Sequence, residues 1–140
     1  MAHVPAADVD AGELLPIRAD EDVVRVRQRV RAIAIEAGLR LVDQTKIVTA
    51  ASELARNTLE YGGGGTALIE RIADGPRTGL RLTFEDQGPG IADIAQAMTD
   101  GFTTGKGLGL GLSGAKRLSD AFDVWSEPGR GTRVTITRWK

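Results

Sequence analysis

Two glycine-rich clusters lie close together in the second half of the chain and constrain its fold more than any other feature. The first is residues 85–90, with the sequence EDQGPG, and the second is residues 101–112, with the sequence GFTTGKGLGLGL. Glycine loses more backbone freedom on folding than other residues, so it is best tolerated where the backbone approaches a ligand or turns with positive φ. The two clusters therefore predict a nucleotide site.

The composition limits the architecture and the classes of function. With 140 residues, 41% of them hydrophobic, the chain can bury one core, so we expect a mobile leader over residues 1–11 and a single domain over residues 12–140. The absence of cysteine excludes disulfides and thiolate chemistry. A net charge of -1 with both signs interspersed gives no basic face for nucleic acid. Without a signal sequence or a membrane-spanning apolar run, we expect a cytoplasmic protein with no membrane contact.

The first part of the predicted domain is a strand followed by a helix. The strand is expected over residues 13–19, and Pro16 places it at a sheet edge because proline cannot donate to a neighbouring strand. Asp20 or Asp22 is expected to cap the helix, which turns its arginines outward. Gly38 is expected to end the helix as a glycine just beyond its last turn.

A second helix is expected to be capped by Asp43 and to extend to about Tyr61. Its inward stripe follows a spacing of three and four residues and consists of Ile47, Val48, Ala51, Leu54 and Ala55. Alanines in this stripe would let the helix lie close to a sheet.

The rest of the chain alternates between hairpins and short helices. Residues 66–73 and 80–84 are expected to pair as a hairpin, followed by helices over residues 91–98 and 112–121 and by a closing hairpin around residues 127–131. Neighbouring strands joined by hairpins favour an antiparallel arrangement. The predicted fold is therefore an α/β (α+β) two-layer sandwich, with a mixed, mostly antiparallel sheet and its helices on one face.

Glu53 and Asn57 are four residues apart in the second predicted helix, so their side chains project from one face, a turn apart. A carboxylate there can accept a proton, and an amide oxygen can bind Mg²⁺ while phosphates and waters complete its coordination. The alternative is a solvated face with an ion pair between Glu53 and Arg56, which spacing alone favours. Asn57 counts against that alternative because asparagine is unfavourable within a helix.

Asp86 ends a predicted strand and is followed by Gly88 and Gly90. A carboxylate at a strand end can accept a hydrogen bond from an exocyclic amine in a buried pocket, while the glycines let the backbone approach the ring. The alternative is an ordinary turn that contains an aspartate, which is the commoner case for this motif alone.

The second cluster alternates glycine with leucine directly before a predicted helix. Free N–H groups and the positive end of a helix dipole suit phosphate, whereas a mobile connection, the alternative, is normally polar. The residues concerned are Gly107, Leu108, Gly109, Leu110, Gly111 and Leu112. Lys106 is either a contact of the γ-phosphate or a solvated surface lysine, and the two interpretations stay open.

Taken together and in this order, these motifs resemble the GHKL ATP-binding proteins. The resemblance covers about residues 16–139 and rests on four boxes: ExxxN at residues 53–57, DxGxG at residues 86–90, GxGxGL at residues 107–112 and GT at residues 131–132. Within that family, the phrases SELARN, EDQGPG and DGFTT are most similar to RsbT-type serine/threonine kinases of bacterial stress signalling. The resemblance implies the Bergerat ATP-binding fold.

The resemblance also implies roles for individual residues. Glu53 would take the proton from a substrate serine or threonine, Asn57 would hold Mg²⁺ on the phosphates of ATP, and Asp86 would bind the adenine amino group. Gly88 and Gly90 would line the adenine pocket, residues 107–111 would form a lid over the phosphates, and Thr132 would support the nucleotide base.

The implied partners are proteins. Members of this type phosphorylate a small STAS-domain antagonist and, once released, bind and activate a partner phosphatase. Two alternatives remain open: an anti-sigma factor that binds a sigma factor directly, and a nucleotide-gated binding module without catalysis, against which Glu53 argues. His3, the only histidine, lies in the expected leader, where a catalytic role is uncommon.

Overall fold

The structure is a computed structural model that describes residues 8–9, 12–99 and 110–140, with the backbone alone for residues 8, 9 and 110. Within these ranges the chain folds, in order, into β1 (Asp8–Val9), β2 (Glu13–Ile17), α1 (Asp20–Glu36), α2 (Leu41–Glu60), β3 (Gly65–Asp74), β4 (Arg77–Asp86), α3 (Ile94–Ala97), α4 (Leu110–Arg117), β5 (Ala121–Glu127) and β6 (Gly131–Trp139).

One sheet contains all six of these strands, in the order β1-β3-β4-β6-β5, with β2 also paired to β3. Every strand pair within the described ranges is antiparallel. Leu80, Leu82 and Phe84 alternate along β4 and are buried in the core that the sheet shares with the helices. The predicted two-layer sandwich is confirmed, and β2 is an edge strand, as Pro16 indicated.

Helix α2 is the central element of the helical layer. Its predicted inward stripe is buried throughout, and it packs against α1, α4 and the strands β3, β4 and β6. Ala50, Ala51 and Ala55 are fully buried, which lets the backbone of α2 approach the sheet closely. Its C-terminal half therefore runs beside the ends of β4 and β6.

None of the described helices combines the length and the hydropathy that a membrane span needs.

The predicted N-cap residue is wrong for both long helices, although Asp22 does cap α1 from within its first turn. Ala19 is the N-cap of α1, and Asp22 lies in the first turn, where its carboxylate accepts the N–H groups of Arg18 at 2.8 Å and Ala19 at 3.1 Å. Arg40 is the N-cap of α2. Asp43 lies in the first turn of that helix. Its carboxylate is buried and pairs with Arg138 of β6 at 2.8 Å.

Two short helices differ in length from their predictions. α3 covers only Ile94–Ala97 because Asp93 caps it by accepting the N–H of Gln96 at 2.9 Å. α4 begins two residues early and ends at Arg117. It stops there because Asp120 binds β6: its N–H donates to the Thr137 carbonyl at 2.8 Å, and its carboxylate accepts the N–H of Trp139 at 2.7 Å.

Part of the predicted leader belongs to the sheet. Asp8 pairs with Ala73 and Val9 with Ile72, which makes β1 a continuation of the edge that β2 forms on β3. The other residues of the predicted leader, 1–7, 10 and 11, lie outside the described ranges.

Candidate nucleotide-binding site

A cavity opens between the C-terminal half of α2, the start of α4 and the ends of β4 and β6. Its walls are mostly apolar, with a small number of polar groups, which is the usual composition of a small-molecule site. The lining residues are Leu54, Asn57, Thr58, Tyr61, Phe84, Asp86, Leu112, Thr132 and Val134. The structure thus brings together four of the residues predicted from sequence: Asn57, Asp86, Leu112 and Thr132.

Asp86 is the acidic group of the cavity. It is 8% exposed, and this burial raises the pKa of its carboxyl, although the N–H groups of Gly88 and Thr132 act in the opposite direction. The Gly88 N–H donates to Oδ1 of Asp86 at 2.9 Å. A buried carboxylate whose ionised form is disfavoured gains from a further hydrogen-bond donor. The exocyclic amine of a base is such a donor.

The glycines of the first cluster are required by packing within the protein. A Cβ at Gly88 would lie 2.7 Å from the Cα of Gly62, and one at Gly90, which has φ of 76°, would collide with the carbonyl of Glu127. Gly62 in turn lies directly against the carboxylate of Asp86. Neither Gly88 nor Gly90 is among the residues that line the cavity. Their contribution in the described structure is to fix the corner that follows Asp86.

Two side chains that sequence reasoning missed hold this corner, which comprises residues 87–91. The Tyr61 hydroxyl donates to the carbonyl of Gly90 at 2.7 Å, and the N–H of Ile91 donates to Oγ of Ser126 at 2.7 Å. Ser126 is also 2.9 Å from the hydroxyl of Thr132, a cavity residue. Tyr61, the only tyrosine, stands directly before four glycines. This pattern could have indicated that Tyr61 has a structural role. Nothing local marks Ser126.

Replacing Ser126 with alanine is expected to weaken ATP binding about fivefold, because the buried N–H of Ile91 loses its acceptor and the corner after Asp86 loosens. Ser126→Thr keeps the hydroxyl and should restore most of the affinity. Calorimetric titration with ATP measures both. Ser119→Ala is the matched control, since that hydroxyl donates to the Ala115 carbonyl at the end of α4. Equal affinities of wild type and Ser126→Ala would show that Ser126 does not position the corner.

Asn57 and Glu53 lie where α4 begins against α2. The Asn57 side-chain nitrogen is buried and has no hydrogen-bond partner in the described part of the chain. A Cβ at Gly111 would lie 2.8 Å from that nitrogen and 3.2 Å from the Cβ of Glu53, so only glycine allows α4 to approach this closely. Gly111, predicted as part of a lid, therefore belongs to the first turn of α4.

Glu53 is exposed, and among the described residues it forms no ion pair. The alternative pair between Glu53 and Arg56 is wrong, because Arg56 faces Glu60 instead, at 3.6 Å. Within the described ranges, Asn57 and Glu53 thus present a buried side-chain nitrogen without a hydrogen-bond partner and a carboxylate without an ion pair on one helix face. These are the two groups that a phosphate-bound cation and a proton transfer require.

The fit to Mg²⁺ depends on this amide. Rotation of the Asn57 amide by 180° exchanges its nitrogen and oxygen, so the buried position can hold either a donor to phosphate or a ligand of a hard cation. No cluster of three or more histidine, aspartate and glutamate residues with metal-binding geometry occurs in the described ranges. A single amide ligand such as Asn57 fits a cation held mainly by phosphates and water, as Mg²⁺ usually is.

The second glycine cluster is described only from Leu110 onward. Lys106, Gly107, Leu108 and Gly109 lie outside the described residues, as does most of the predicted lid. Leu110 begins α4, and Leu112 contributes to the cavity wall.

Comparison with known proteins assigns the family. The profile described as histidine kinase-, DNA gyrase B- and HSP90-like ATPase matches residues 42–140. The chain belongs to this ATPase family. The match includes α2, the corner after Asp86 and β6, and therefore every residue that lines the cavity.

Individual relatives show which members of the ATPase family this chain is similar to. The serine/threonine-protein kinase RsbT of Bacillus subtilis (strain 168) is 49% identical over 88% of this chain and 92% of its own. The anti-sigma F factor of Thermoanaerobacter sp. (strain X514) is 30% identical over 81% and 82%, respectively. The predicted family and the predicted enzyme class, a serine/threonine protein kinase, are confirmed by these relationships.

A solved structure supports the fold. The crystal structure of the RsbU and RsbW domains of Rv1364c from Mycobacterium tuberculosis superposes with a TM-score of 0.66 at 21% identity. The superposition covers 94% of this chain and 33% of that one, so this chain corresponds to about a third of it. At this identity the likeness concerns the fold alone.

Proposed function

We propose that this chain is an ATP-dependent serine/threonine kinase of a partner-switching stress response. It phosphorylates a STAS-domain antagonist protein and, when released from it, binds and activates a partner phosphatase. The observation that carries this proposal is the arrangement on α2, where the exposed Glu53 lies one turn from Asn57. The buried side-chain nitrogen of Asn57 faces Gly111 and has no hydrogen-bond partner among the described residues. The 49% identity to RsbT supports it.

In this proposal the cavity binds the adenine, whose amino group donates to Asp86, and Thr132 contacts the base from β6. Asn57 would hold Mg²⁺, which would supply positive charge to the phosphates of ATP. The hydroxyl oxygen of the substrate forms a bond to the γ-phosphorus as the bond to the bridging oxygen of ADP breaks, and Glu53 accepts the hydroxyl proton. Lys106 and the glycines at 107 and 109 are proposed phosphate contacts on sequence grounds.

The test is direct phosphoryl transfer. Purified chain is incubated with Mg²⁺, ATP labelled at the γ-phosphate and purified STAS-domain proteins of the source strain. Label is expected on a serine or threonine of one of them, and the transfer should stop when EDTA is added. Absence of label on all of these proteins would reject a STAS-domain protein as the substrate.

A second candidate is an anti-sigma kinase that binds a sigma factor directly. The relationship to the anti-sigma F factors favours it, since one of them is 30% identical over most of both chains. Affinity capture with the purified chain distinguishes the two candidates. Recovery of a sigma subunit without a STAS-domain protein or phosphatase would favour the second.

A further inference from the structure

Helix α1 carries an unpartnered stripe on the side opposite to its buried face. Val24, Arg27, Gln28, Arg31 and Ile35 are all exposed, and each lies three or four residues from another member of the set. At 3.6 residues per turn they lie within about 100° of one another around the helix and extend about 16 Å along it. We call these five residues the α1 stripe.

The two arginines of the α1 stripe repel each other without compensation. The neighbouring arginines of α1 are paired: Arg25 binds Asp22 at 2.7 Å and Arg29 binds Glu13 at 2.7 Å. Arg27 and Arg31, four residues apart, form no ion pair with any described residue. Like charges at this spacing destabilise a helix. In a chain whose net charge is -1, this local excess of positive charge has no ion-pair partner among the described residues.

Exposed apolar side chains flank the arginines. Val24 is 43% exposed and Ile35 is 56% exposed, at the two ends of the α1 stripe. The first turn of α2 adds Leu41 at 71% and Val42 at 50%. Four of the large hydrophobic residues that are exposed in the described chain thus lie on the outer side of the two long helices. Exposed apolar groups gathered around charges are typical of a protein interaction site.

We propose that the α1 stripe docks an amphipathic helix of a partner protein, with two carboxylates about one turn apart that bind Arg27 and Arg31 and apolar residues that cover Val24 and Ile35. The repeat of the stripe matches the spacing at which a second helix presents its own side chains. Complementary charge fixes the register and speeds association, and the apolar ends contribute burial. This surface is formed by α1, whereas the nucleotide cavity is lined by α2, α4, β4 and β6.

The docking surface is tested first by cross-linking in cells of the source strain. A photoreactive benzophenone amino acid replaces Gln28, which lies between the two arginines, and Asp123 on β5 serves as the control position. We expect a covalent adduct from position 28 that maps to a helix with two acidic residues a turn apart. No adduct from position 28, or an adduct to a segment without such acidic residues, would overturn the inference.

Charge reversal provides the quantitative test. Arg27→Glu with Arg31→Glu should weaken binding of the cross-linked partner, purified, by about 30-fold or more, and should abolish the adduct. The control, Lys46→Glu with Lys116→Glu, makes the same change in net charge and should bind within about twofold of wild type. Thermal unfolding and ATP affinity should be the same in both double variants. Unchanged partner binding in the arginine variant would rule out the stripe.

A reciprocal change completes the design. Replacing the two mapped acidic residues of the partner with lysine should restore binding to the Arg27→Glu, Arg31→Glu chain. The choice of STAS-domain proteins and phosphatases as first partners to examine rests on the proposed function. The proposed function and the docking surface can fail separately. If the chain labels no STAS-domain protein but forms the adduct, the docking surface stands and the proposed substrate is rejected. If the chain is a working kinase but forms no adduct, the docking surface is rejected.

Discussion

Glu53→Gln is expected to lower phosphoryl transfer by about 10²- to 10⁴-fold, the usual contribution of a general base, while leaving ATP affinity within about twofold. Glutamine has nearly the same shape but cannot accept the proton of the substrate hydroxyl. ATP affinity should be retained because Glu53 is exposed and does not line the cavity. Initial rates with labelled ATP and calorimetric titration measure the two quantities separately.

The matched control is Glu60→Gln, which removes an exposed carboxylate two turns further along α2, where it faces Arg56 at 3.6 Å. That change should leave both the rate and the affinity near wild type, because a surface ion pair contributes little. If Glu53→Gln transfers phosphate as fast as wild type, Glu53 is not the base. A parallel loss of rate and ATP affinity would instead assign Glu53 to nucleotide binding.

The parts of the fold that follow from local pattern could be predicted from the sequence. The stripe of α2 has a period that only a helix satisfies, and Leu80, Leu82 and Phe84 have the period of a strand. Both predictions are confirmed. The presence of Asn57 and Asp86 in one site could also be predicted, because each residue is unusual at its position. Asn57 is an amide inside a helix, and Asp86 is a carboxylate at a strand end before glycines.

Contacts between residues far apart in the chain could not be predicted in this way. Asp43 resembles a helix cap by its position, yet it is buried because Arg138, 95 residues later, binds it. Ser126 supports the corner after Asp86 through Ile91, 35 residues earlier. The backbone of Glu127 occupies the space that a side chain at Gly90 would need, 37 residues away along the chain. Each of these contacts joins residues that only the folded chain brings near.

Arg138→Met is expected to lower the free energy of unfolding by about 3 kcal/mol, the lower end of the cost of leaving a buried charge without its partner. The Asp43 side chain is 2% exposed and that of Arg138 is 15% exposed, with 2.8 Å between Oδ1 and Nη2. Arg40, 3.2 Å from the same carboxylate, is 71% exposed and compensates only in part. Urea unfolding at pH 7 measures the difference. Arg130→Met, which removes an exposed pair with Glu127, should cost less than about 1 kcal/mol.

The pH dependence of this difference identifies Asp43 as its cause. Burial alone would raise the pKa of Asp43, but hydrogen bonds and charges from Arg138 and Arg40 lower it below its usual value. A lowered pKa stabilises the folded state above the ordinary aspartate pKa of about 3.9, and this contribution is lost as the pH falls through the folded-state pKa. Without Arg138, burial dominates and raises the pKa of Asp43, so protonation should relieve the penalty in the variant while the pH is still falling towards about 3.9. Below that pH the wild-type gain is lost as well, so the difference between the two proteins should narrow from weakly acidic pH downwards. Replacing both residues, as Asp43→Leu with Arg138→Met, should recover much of the stability at pH 7, since no unpaired charge is left buried. A double variant as unstable as Arg138→Met would mean that packing of the arginine side chain, not the charge of Asp43, is the cause.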